Sequence, residues 1–408
     1  MEFETFTLPN GIRVVHKEVD SPVSHCGIVV NAGSREEREE EQGLAHFMEH
    51  TLFKGTAKRK AYHILSRLED VGGELNAYTS KEETFIYGSF LSPFYNRTIE
   101  LLSDITFHAT FPARELAKEK DVIREEINSF LDSPGEMIFD EFEDLIYKGH
   151  SLGRNILGTP DTLKHLGRKD LLSFRDHWYT TDNMVFSSVG NISTKRLQRL
   201  LEKHLESIPE RSRFAERTPV NGYTAENISA EKDTFQTHAI IGNRAYHADH
   251  KNSTALIFLN NLLGGPGSSS RLNLNIREKY GFAYHIESFY TPYTDTGTFG
   301  IYVGTDKGTV DRALDLIHKE LRKLRERPLG VLQMSKARNQ IKGQIAMSQE
   351  SRINQMIGFG KAKLLFNRID TLEEVHEKID RLTADDILEV ANEILDPSKL
   401  STLIYKAK

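Results

Sequence analysis

The sequence contains a single cysteine, Cys26, in 408 residues. One cysteine allows neither a disulfide bond nor a cysteine-ligated zinc site within one chain. Any metal ion that this chain binds must therefore be held by histidine, aspartate or glutamate side chains.

The chain also lacks an excess of positive charge and a long apolar run. Its 53 lysines and arginines stand against 59 aspartates and glutamates, a formal net charge of −6, and this balance does not favour nucleic acid or anionic membrane surfaces. No apolar stretch approaches the roughly 18 residues of a membrane-spanning helix. The acidic opening residues Met1–Thr5 also differ from a basic leader peptide. We therefore expect a cytoplasmic protein that binds neither nucleic acid nor membranes.

The remaining composition is that of an ordinary globular protein. Hydrophobic residues make up 38% of the chain and charged residues 27%, so enough apolar surface is present to form a core. At roughly 150 residues per domain, the length predicts two or three domains.

Strand and helix patterns alternate in the first half of the chain. The predicted elements are strands at Thr5–Leu8, Ile12–Lys17 and Cys26–Asn31, helices at Glu40–Lys54 and Ala61–Val71, paired strands within Glu74–Leu91, and helices at Arg97–His108 and Pro112–Leu131. Leu44, Met48 and Leu52 form one apolar stripe on the first of these helices.

The same order of patterns returns after a polar, turn-rich stretch at 209–223. The later elements are a strand at Thr237–Gly242, helices at Ser253–Leu263 and Arg271–Lys279, an alternating stretch at Ala283–Tyr302 and further long helices. We interpret 209–223 as a linker between a domain at 1–208 and a homologous domain at 224–408. The fold class is α+β, with a mostly antiparallel sheet packed with helices in each domain.

The clearest chemical signal is the segment His46-Phe47-Met48-Glu49-His50, within the first predicted helix. At about 100° per residue, His46 and His50 lie about 40° apart around the helix and one turn apart along it, so both imidazoles can reach one ion. Glu49 lies on the same side. Imidazole and carboxylate groups suit Zn²⁺, and a catalytic zinc needs three protein ligands. A third ligand must therefore come from another element.

The predicted helix at Pro112–Leu131 offers candidates for that third ligand. Glu119 and Glu126 are seven residues apart, which places them within about 20° of each other on the helix surface. Spacing alone does not choose between Glu119, Glu125 and Glu126. The charged residues of this helix are also consistent with a solvated, salt-bridged face.

These motifs resemble those of the inverted-zincin peptidases, the group of pitrilysin, insulin-degrading enzyme and mitochondrial processing peptidase. The resemblance rests on His46 to His50, on the following Leu52-Phe53-Lys54-Gly55-Thr56, and on Glu126, which lies 76 positions beyond His50. Further matching segments are Ala32-Gly33-Ser34-Arg35, Gly73–Thr79, Leu157-Gly158-Thr159, Val189-Gly190-Asn191, Gly264–Leu272 and Arg277–Tyr284. The resemblance covers nearly the whole chain, and the length matches short bacterial members that carry two of the four domains of the large single-chain enzymes.

The resemblance implies a role for each residue of the first motif pair. His46, His50 and Glu126 would hold one Zn²⁺ per chain. Glu49 would be the general base, and Glu119 would be a supporting carboxylate near the metal. These roles agree with the chemistry of a zinc hydrolase, in which a carboxylate takes a proton from the attacking water.

The resemblance also implies residues that bind substrate. Asn76-Ala77-Tyr78 would be an edge strand that holds the substrate backbone by strand addition, although this segment also fits an ordinary buried strand. Arg277 and Tyr284 match an arginine and a tyrosine with which the family reaches substrate and the zinc site during catalysis. Without the resemblance, they would be a surface helix residue and a core strand aromatic. No His-x-x-Glu-His motif occurs in the second half, so we expect that domain to be metal-free.

The implied function is a zinc endopeptidase that hydrolyses unfolded peptides or oligopeptides in an enclosed chamber. Because each chain would carry two of four domains, we expect a homodimer. The alternative is a non-catalytic scaffold, or a partner subunit of a heteromeric processing peptidase, since some family members have lost the site. The presence of His46, Glu49, His50 and Glu126 together favours an active enzyme. A metal-binding module without enzymatic activity would need neither Glu49 nor the matching second domain.

Overall fold

The computed structural model describes residues 3–212, 217–220 and 222–408. The strands are β1 (Glu4–Thr7), β2 (Arg13–Glu18), β3 (Val23–Val30), β4 (Glu74–Thr79), β5 (Thr84–Leu91), β6 (Met184–Gly190), β7 (Asn227–Lys232), β8 (Thr237–Ala245), β9 (His285–Pro292), β10 (Gly297–Thr305) and β11 (Ser401–Ala407).

Helices form about half of the described chain. The α-helices are α1 (Leu44–Leu52), α2 (Ala61–Glu69), α3 (Tyr95–His108), α4 (Ala113–Leu131), α5 (Pro134–Ile146), α6 (Pro160–His165), α7 (Arg168–Trp178), α8 (Thr194–Leu205), α9 (Ser253–Gly264), α10 (Val310–Glu326), α11 (Val331–Ser348), α12 (Arg352–Phe366), α13 (Leu372–Arg381) and α14 (Ala384–Ile394). A π-helical segment lies at Asn273–Glu278.

The chain folds into two compact units. The first consists of Met1–Asn128, Arg154–Arg217 and Ser348–Ile369, and the second consists of Ser129–Gly153, Thr218–Met347 and Asp370–Lys408. Each unit contains one sheet. Each also includes a segment that chain order alone would place with the other half, and α5 and α12 lie within those two segments.

Apart from β1, which adds a sixth strand to the first sheet, the two sheets share one strand topology. The first has the order β1-β2-β6-β3-β5-β4, and the second has the order β7-β11-β8-β10-β9. In the first sheet β2 is parallel to β6, and in the second β7 is parallel to β11; the pairings that follow in each order are antiparallel. Therefore β4 and β9 occupy the same place, at the end of their sheets. This confirms the predicted α+β class with a mostly antiparallel sheet in each unit.

The first unit has apolar packing on both faces of its sheet. The main cluster contains Ile28, Phe47, Leu102 and Phe186, so that α1 and α3 pack on one face. Met356 of α12 packs on the other face in a separate cluster. Burial of each such side chain contributes about 1.5–3 kcal/mol, which makes this core the main support for α1.

The second unit is arranged in the same way. Its main cluster includes Leu259 of α9 and Ile317 of α10 with Phe299 of β10. On the other face, Phe142 of α5 packs with Tyr405 of β11. The apolar side of a helix needs an apolar surface to pack against. In each unit, the second face of the sheet provides that surface for the helix that chain order would place with the other half, α12 in the first unit and α5 in the second.

The predicted helix at Glu40–Lys54 was too long at its beginning. Glu39–Glu41 forms a short 3₁₀ turn, and α1 begins only after Gly43, whose φ of 88° lies in the left-handed region. Glycine adopts this conformation readily, whereas other residues rarely do, and a residue in this conformation interrupts an α-helix. The acidic residues before Gly43 favour a helix by propensity, but this backbone turn prevents their joining α1.

The predicted domain boundaries, 1–208 and 224–408 around a linker at 209–223, remain a prediction about the two halves of the chain. Residues 213–216 and 221 of that linker, together with Met1 and Glu2 of the predicted acidic start, lie outside the described residues. Within the part of the chain that the structure describes, no helix combines the length and the apolar character needed to cross a membrane.

Candidate metal centre

Helix α1 carries the first motif of the candidate metal centre. Its apolar residues Leu44, Met48 and Leu52 are buried in the core of the first unit, as the predicted stripe requires. The buried stripe fixes the rotation of the helix, so the partly exposed residues His46, Glu49 and His50 share the side turned away from the core.

The two histidines face a carboxylate from α4. The Nε2 atoms of His46 and His50 lie 3.7 Å and 3.5 Å from Oε2 of Glu126. The ligand atoms of these three side chains all lie within 4.8 Å of one another. Among the described residues, they are the one group of three or more histidine, cysteine, aspartate or glutamate side chains arranged closely enough to hold a metal ion.

These distances fit a zinc ion better than direct hydrogen bonds. Hydrogen bonds between nitrogen and oxygen have donor–acceptor distances of about 2.7–3.2 Å, whereas ligands around a tetrahedral zinc lie about 3.3 Å apart. Oε2 of Glu126 is buried, and within the described residues it has no hydrogen-bond partner. Two imidazoles and one carboxylate form the donor set of a catalytic zinc site with an open position.

A second carboxylate orients one of the two imidazoles. Nδ1 of His50 donates a hydrogen bond to Oε2 of Glu119 at 3.2 Å, and Nζ of Lys54 lies 2.7 Å from Oε1 of the same carboxylate. This hydrogen bond assigns the proton of a neutral His50 to Nδ1, so the lone pair of Nε2 faces Glu126. Histidine ligands of metals characteristically have such a carboxylate partner.

Burial keeps His46 in the state that a metal ligand needs. Burial, together with the nearby ring of His50, lowers the pKa of His46 to about 4. The imidazole of His46 is therefore neutral at neutral pH, and its nitrogen is available as a ligand.

Glu49 lies beside the end of β4. Burial raises the pKa of Glu49, while Thr79 opposes the rise through its side chain and its backbone. The nearby His50 also lowers this pKa, and Glu126 raises it. A partly buried carboxylate with a raised pKa accepts a proton more readily than an exposed one.

The segment Asn76-Ala77-Tyr78 lies on β4 at the end of the first sheet. These residues pair antiparallel with β5 on one side, and β4 has no other strand partner in the described chain. None of the three side chains is fully buried, so the segment is not an ordinary core strand. The hydroxyl of Tyr78 donates to Oε1 of Glu83 at 3.2 Å.

Arg277 and Tyr284 belong to the second unit. Arg277 lies in the π-helical segment and donates from Nη1 to Oδ1 of Asn273 at 3.3 Å. Tyr284 precedes β9, is 57% exposed, and donates its hydroxyl proton to Oδ1 of Asp306 at 2.9 Å. Tyr284 is therefore not the core aromatic that its sequence surroundings suggest.

Five residues described above interact with the predicted site residues but received no role from the sequence. They are Lys54, Thr79, Glu83, Asn273 and Asp306. Lys54 and Thr79 both lie within segments that carry the family resemblance, so both positions had a local signal. Asp306 follows β10, a whole strand after Tyr284, and only the pairing of β9 with β10 brings the two residues together.

Two family models match the chain over most of its length. The model described as "Insulinase (Peptidase family M16)" matches residues 13–160. The model described as "Peptidase M16 inactive domain" matches residues 165–341. The first match contains the candidate metal centre.

Curated relatives match the chain from end to end. An uncharacterized zinc protease of Bacillus subtilis is 32% identical over 98% of this chain and 97% of its own length. The human mitochondrial-processing peptidase subunit beta is 30% identical over 95% of this chain and 81% of its own length.

Solved structures share the fold. A protease from Helicobacter pylori has a TM-score of 0.93 at 24% identity, with 99% of both chains covered. A structure from Pseudomonas fluorescens, described as a peptidase M16 inactive domain, also has a TM-score of 0.93, at 19% identity over 100% of this chain and 98% of its own.

Proposed function

Because the chain belongs to the insulinase family of peptidases, M16, we propose that it is a zinc-dependent endopeptidase that hydrolyses unfolded peptides. The observation that carries the proposal is the convergence of His46, His50 and Glu126 beside Glu49. A site that only bound a metal ion would not require a carboxylate with a raised pKa next to the ligands.

His46, His50 and Glu126 are the proposed ligands of one zinc ion. When bound by three protein ligands, zinc polarises a substrate carbonyl and lowers the pKa of a bound water to about 7. The chain holds the ligands ready for this role, since His46 is neutral at neutral pH and His50 is oriented by Glu119.

Glu49 is the proposed general base. Its carboxylate takes a proton from the water that attacks the peptide carbonyl, and it then delivers that proton to the leaving amine. Burial raises the pKa of this carboxylate, so it takes up a proton more readily than an exposed glutamate does.

Glu119 and Lys54 act on the reaction through His50. Glu119 keeps the ring of His50 in one orientation and one tautomer, and Lys54 holds the carboxylate of Glu119 in place through an ion pair. Neither residue needs to contact the substrate. Together they limit the freedom of the ligand side chains.

The outer edge of β4 is the proposed site for the substrate backbone. An extended peptide can add to this edge by main-chain hydrogen bonds beside Asn76, Ala77 and Tyr78. Such bonds do not depend on side-chain identity, so weak sequence selectivity follows. Because addition to an edge needs an extended segment, unfolded peptides are the substrates that fit.

Arg277 and Tyr284 are proposed to assist substrate binding and catalysis, as the family resemblance implies. In a homodimer, each zinc-bearing half can be completed by these two residues from the partner subunit. The enclosed chamber and the homodimer belong to this proposal, and the cytoplasmic location remains a prediction.

The second candidate function is that of a non-catalytic partner in a heteromeric peptidase. It is favoured by the similarity to mitochondrial-processing peptidase subunit beta, a protein named as a subunit. The "inactive domain" description concerns residues 165–341, outside the segment with His46, Glu49, His50 and Glu126. The complete residue set favours the enzyme.

Digestion of a mixed peptide library tests the proposal. The purified chain is incubated with the library with and without a zinc chelator, and the products are identified by mass spectrometry. We expect internal cleavages that disappear with chelator and return with added zinc. Equal product patterns in both samples, or no cleavage by the zinc-loaded protein, would contradict an autonomous zinc endopeptidase.

A further inference from the structure

The backbone before α1 folds so that a buried carboxylate meets the beginning of that helix. Oε1 of Glu37 accepts a hydrogen bond from the amide of Ala45 at 2.7 Å, and Oε2 accepts one from the amide of Gly43 at 3.0 Å. Glu37 is 4% exposed, so water does not replace these bonds. The backbone carbonyl of Glu37 also accepts from Nη1 of Arg154 at 3.2 Å.

This contact concerns the helix that carries the metal-centre residues. Gly43 is the residue before α1, Ala45 is its second residue, and His46 follows directly. The first amides of a helix have no partner within the helix, and the partial positive charge there favours an anion. Burial raises the pKa of Glu37, and the amides of Ala45 and Gly43 oppose that rise, because they bind the ionised carboxylate.

A second set of charged groups holds the loop on which Glu37 lies. Oε1 of the adjacent Glu36 is 2.6 Å from Nε of Arg217, and Oε2 accepts from the amide of Gly33 at 2.6 Å. Arg217 also donates to the backbone carbonyl of Glu82 at 2.8 Å, and Arg35 pairs with the carboxylate of Glu82 at 2.6 Å.

Arg217 has a particular place in the chain. It is the last residue of the Arg154–Arg217 segment, after which the chain enters the second unit. Its side chain is 15% exposed, and it contacts Glu36 and Glu82, which are far from it in sequence. The end of this segment is thereby fixed to the loop that precedes α1.

We propose that Glu37 is a positioning residue for the metal centre, which fixes the first turn of α1, and that Arg217 holds the Glu37 loop in place. The proposal rests on the proposed function, because it concerns the ligands His46 and His50. Productive metal sites tolerate deviations of about 0.5 Å. A looser first turn would displace His46, since His46 lies within it.

The test begins with Glu37→Gln, which keeps the size of the side chain but sets an NH₂ group against one of the two amides. In the metal-free protein, we expect hydrogen exchange at Gly43 and Ala45 to become at least about ten-fold faster. We expect zinc affinity, measured against a competing chelator, to fall by about ten-fold or more. The absorption spectrum of the cobalt-substituted protein should change as well.

Thr383→Ala is the matched control. Oγ1 of Thr383 accepts from the amide of Asp386 at 3.1 Å and caps α14 in the second unit. This variant also loses a helix cap, so it reports the general effect of such a loss. Its exchange at Gly43 and Ala45, its zinc affinity and its cobalt spectrum should match the wild type.

Wild-type zinc affinity and cobalt spectrum in Glu37→Gln would overturn the proposal, as would unchanged amide exchange. If Glu37→Gln does not fold, Arg217→Gln decides: it should show the same changes to a smaller extent, and Arg217→Lys should partly restore them. A wild-type-like Arg217→Gln would then overturn the proposal.

Failure of the proposed function is distinguishable from failure of this inference. A wild-type chain that bound no zinc would overturn both. A wild-type chain that bound and used zinc, with a Glu37→Gln variant that bound it equally well, would overturn this inference alone.

Discussion

Glu119 accepts a hydrogen bond from Nδ1 of His50 at 3.2 Å, and this bond leaves the other ring nitrogen of His50 directed at Glu126. The two glutamates of α4 therefore differ in role although they share one side of the helix. Glu126 faces both imidazoles, whereas Glu119 contacts only His50, through the ring nitrogen Nδ1.

The first prediction compares these two carboxylates. Glu126→Gln should weaken zinc binding by at least about 100-fold, because a ligand is lost, whereas Glu119→Gln should weaken it by about ten-fold, because an orienting partner is lost. Zinc content after dialysis against a chelator measures the difference. Glu125→Gln is the control, since Glu125 is exposed on the same helix. Equal zinc retention in the Glu126 and Glu119 variants would mean that the ligand is assigned to the wrong carboxylate.

The second prediction concerns Lys54, whose Nζ lies 2.7 Å from Oε1 of Glu119. Lys54→Met keeps an apolar side chain of similar length but removes the charge. The nearly buried carboxylate of Glu119 then loses its ion-pair partner, so its position is less well fixed and its hold on His50 weakens. We expect zinc affinity to fall by about three- to ten-fold.

Lys118→Met provides the matched control for Lys54. Lys118 is an exposed lysine on α4, directly before Glu119 in sequence, and it pairs with Glu115 at 2.9 Å. Exposed pairs of this kind contribute little, so this variant should bind zinc like the wild type. If both lysine variants lost zinc affinity equally, the effect would come from the net charge of the surface and not from the contact with Glu119.

The third prediction separates metal binding from proton transfer. Glu49→Gln should retain zinc, since Glu49 is not among the proposed ligands, and it should hydrolyse peptides about 100- to 10,000-fold more slowly, since general base catalysis contributes factors of that size. Elemental analysis and a peptide-cleavage assay on the same sample provide both values. Turnover at the wild-type rate would rule out Glu49 as the base.

The fourth prediction concerns the pH dependence of stability. His16 is 1% exposed, with its Nε2 at 2.8 Å from the carbonyl of Ile192, and burial lowers its pKa from the ordinary value of 6.5. Because the unfolded chain binds this proton more readily, His16 contributes stability that is present above about pH 6.5 and is lost as the pH falls through its lowered pKa.

Urea unfolding of the metal-free protein at several pH values measures this contribution. A single group of this kind changes the free energy of unfolding by at most about 1.4 kcal/mol per pH unit. His16→Gln removes the titrating group, so its stability should decline less steeply than that of the wild type between pH 6.5 and lower values. Parallel curves for the two proteins would exclude His16 as a source of acid sensitivity.

The pairing of α1 with α4 shows what local patterns can predict. The apolar stripe of α1 fixes which side carries His46 and His50, and the seven-residue spacing in α4 places Glu119 and Glu126 on one side of that helix. Spacing left open which glutamate faces the histidines. That choice depends on how the two helices pack against each other, and the hydrophobic periodicity of the individual helices does not contain this information.

Other features depend on contacts between distant segments. The sequence of α12 contains apolar residues such as Met356 and Leu364, but it does not indicate that they cover the sheet of the first unit. The contacts of Glu37 with Gly43 and Ala45 were also not predicted. They join residues farther apart in sequence than those of an ordinary helix cap, and the 3₁₀ turn at Glu39–Glu41 brings Glu37 close to the beginning of α1.

The last prediction concerns the proposed homodimer. If the zinc-bearing half of each chain is completed by Tyr284 of the partner subunit, Glu49→Gln and Tyr284→Phe each inactivate both sites of their own homodimer. Tyr284→Phe removes the hydroxyl that donates to Asp306 but keeps the ring, so folding should be preserved.

Mixing the two inactive variants then restores activity. A mixed dimer has one site with both substitutions and one site with neither, and random exchange of equal amounts makes half of the dimers mixed, so about a quarter of wild-type activity should return. The return should follow the rate of subunit exchange, measured by native mass spectrometry. Mixing each variant with more of itself is the control and should restore nothing. If mixed dimers form without recovery, or if a strictly monomeric protein is fully active, the site is not completed by a partner subunit.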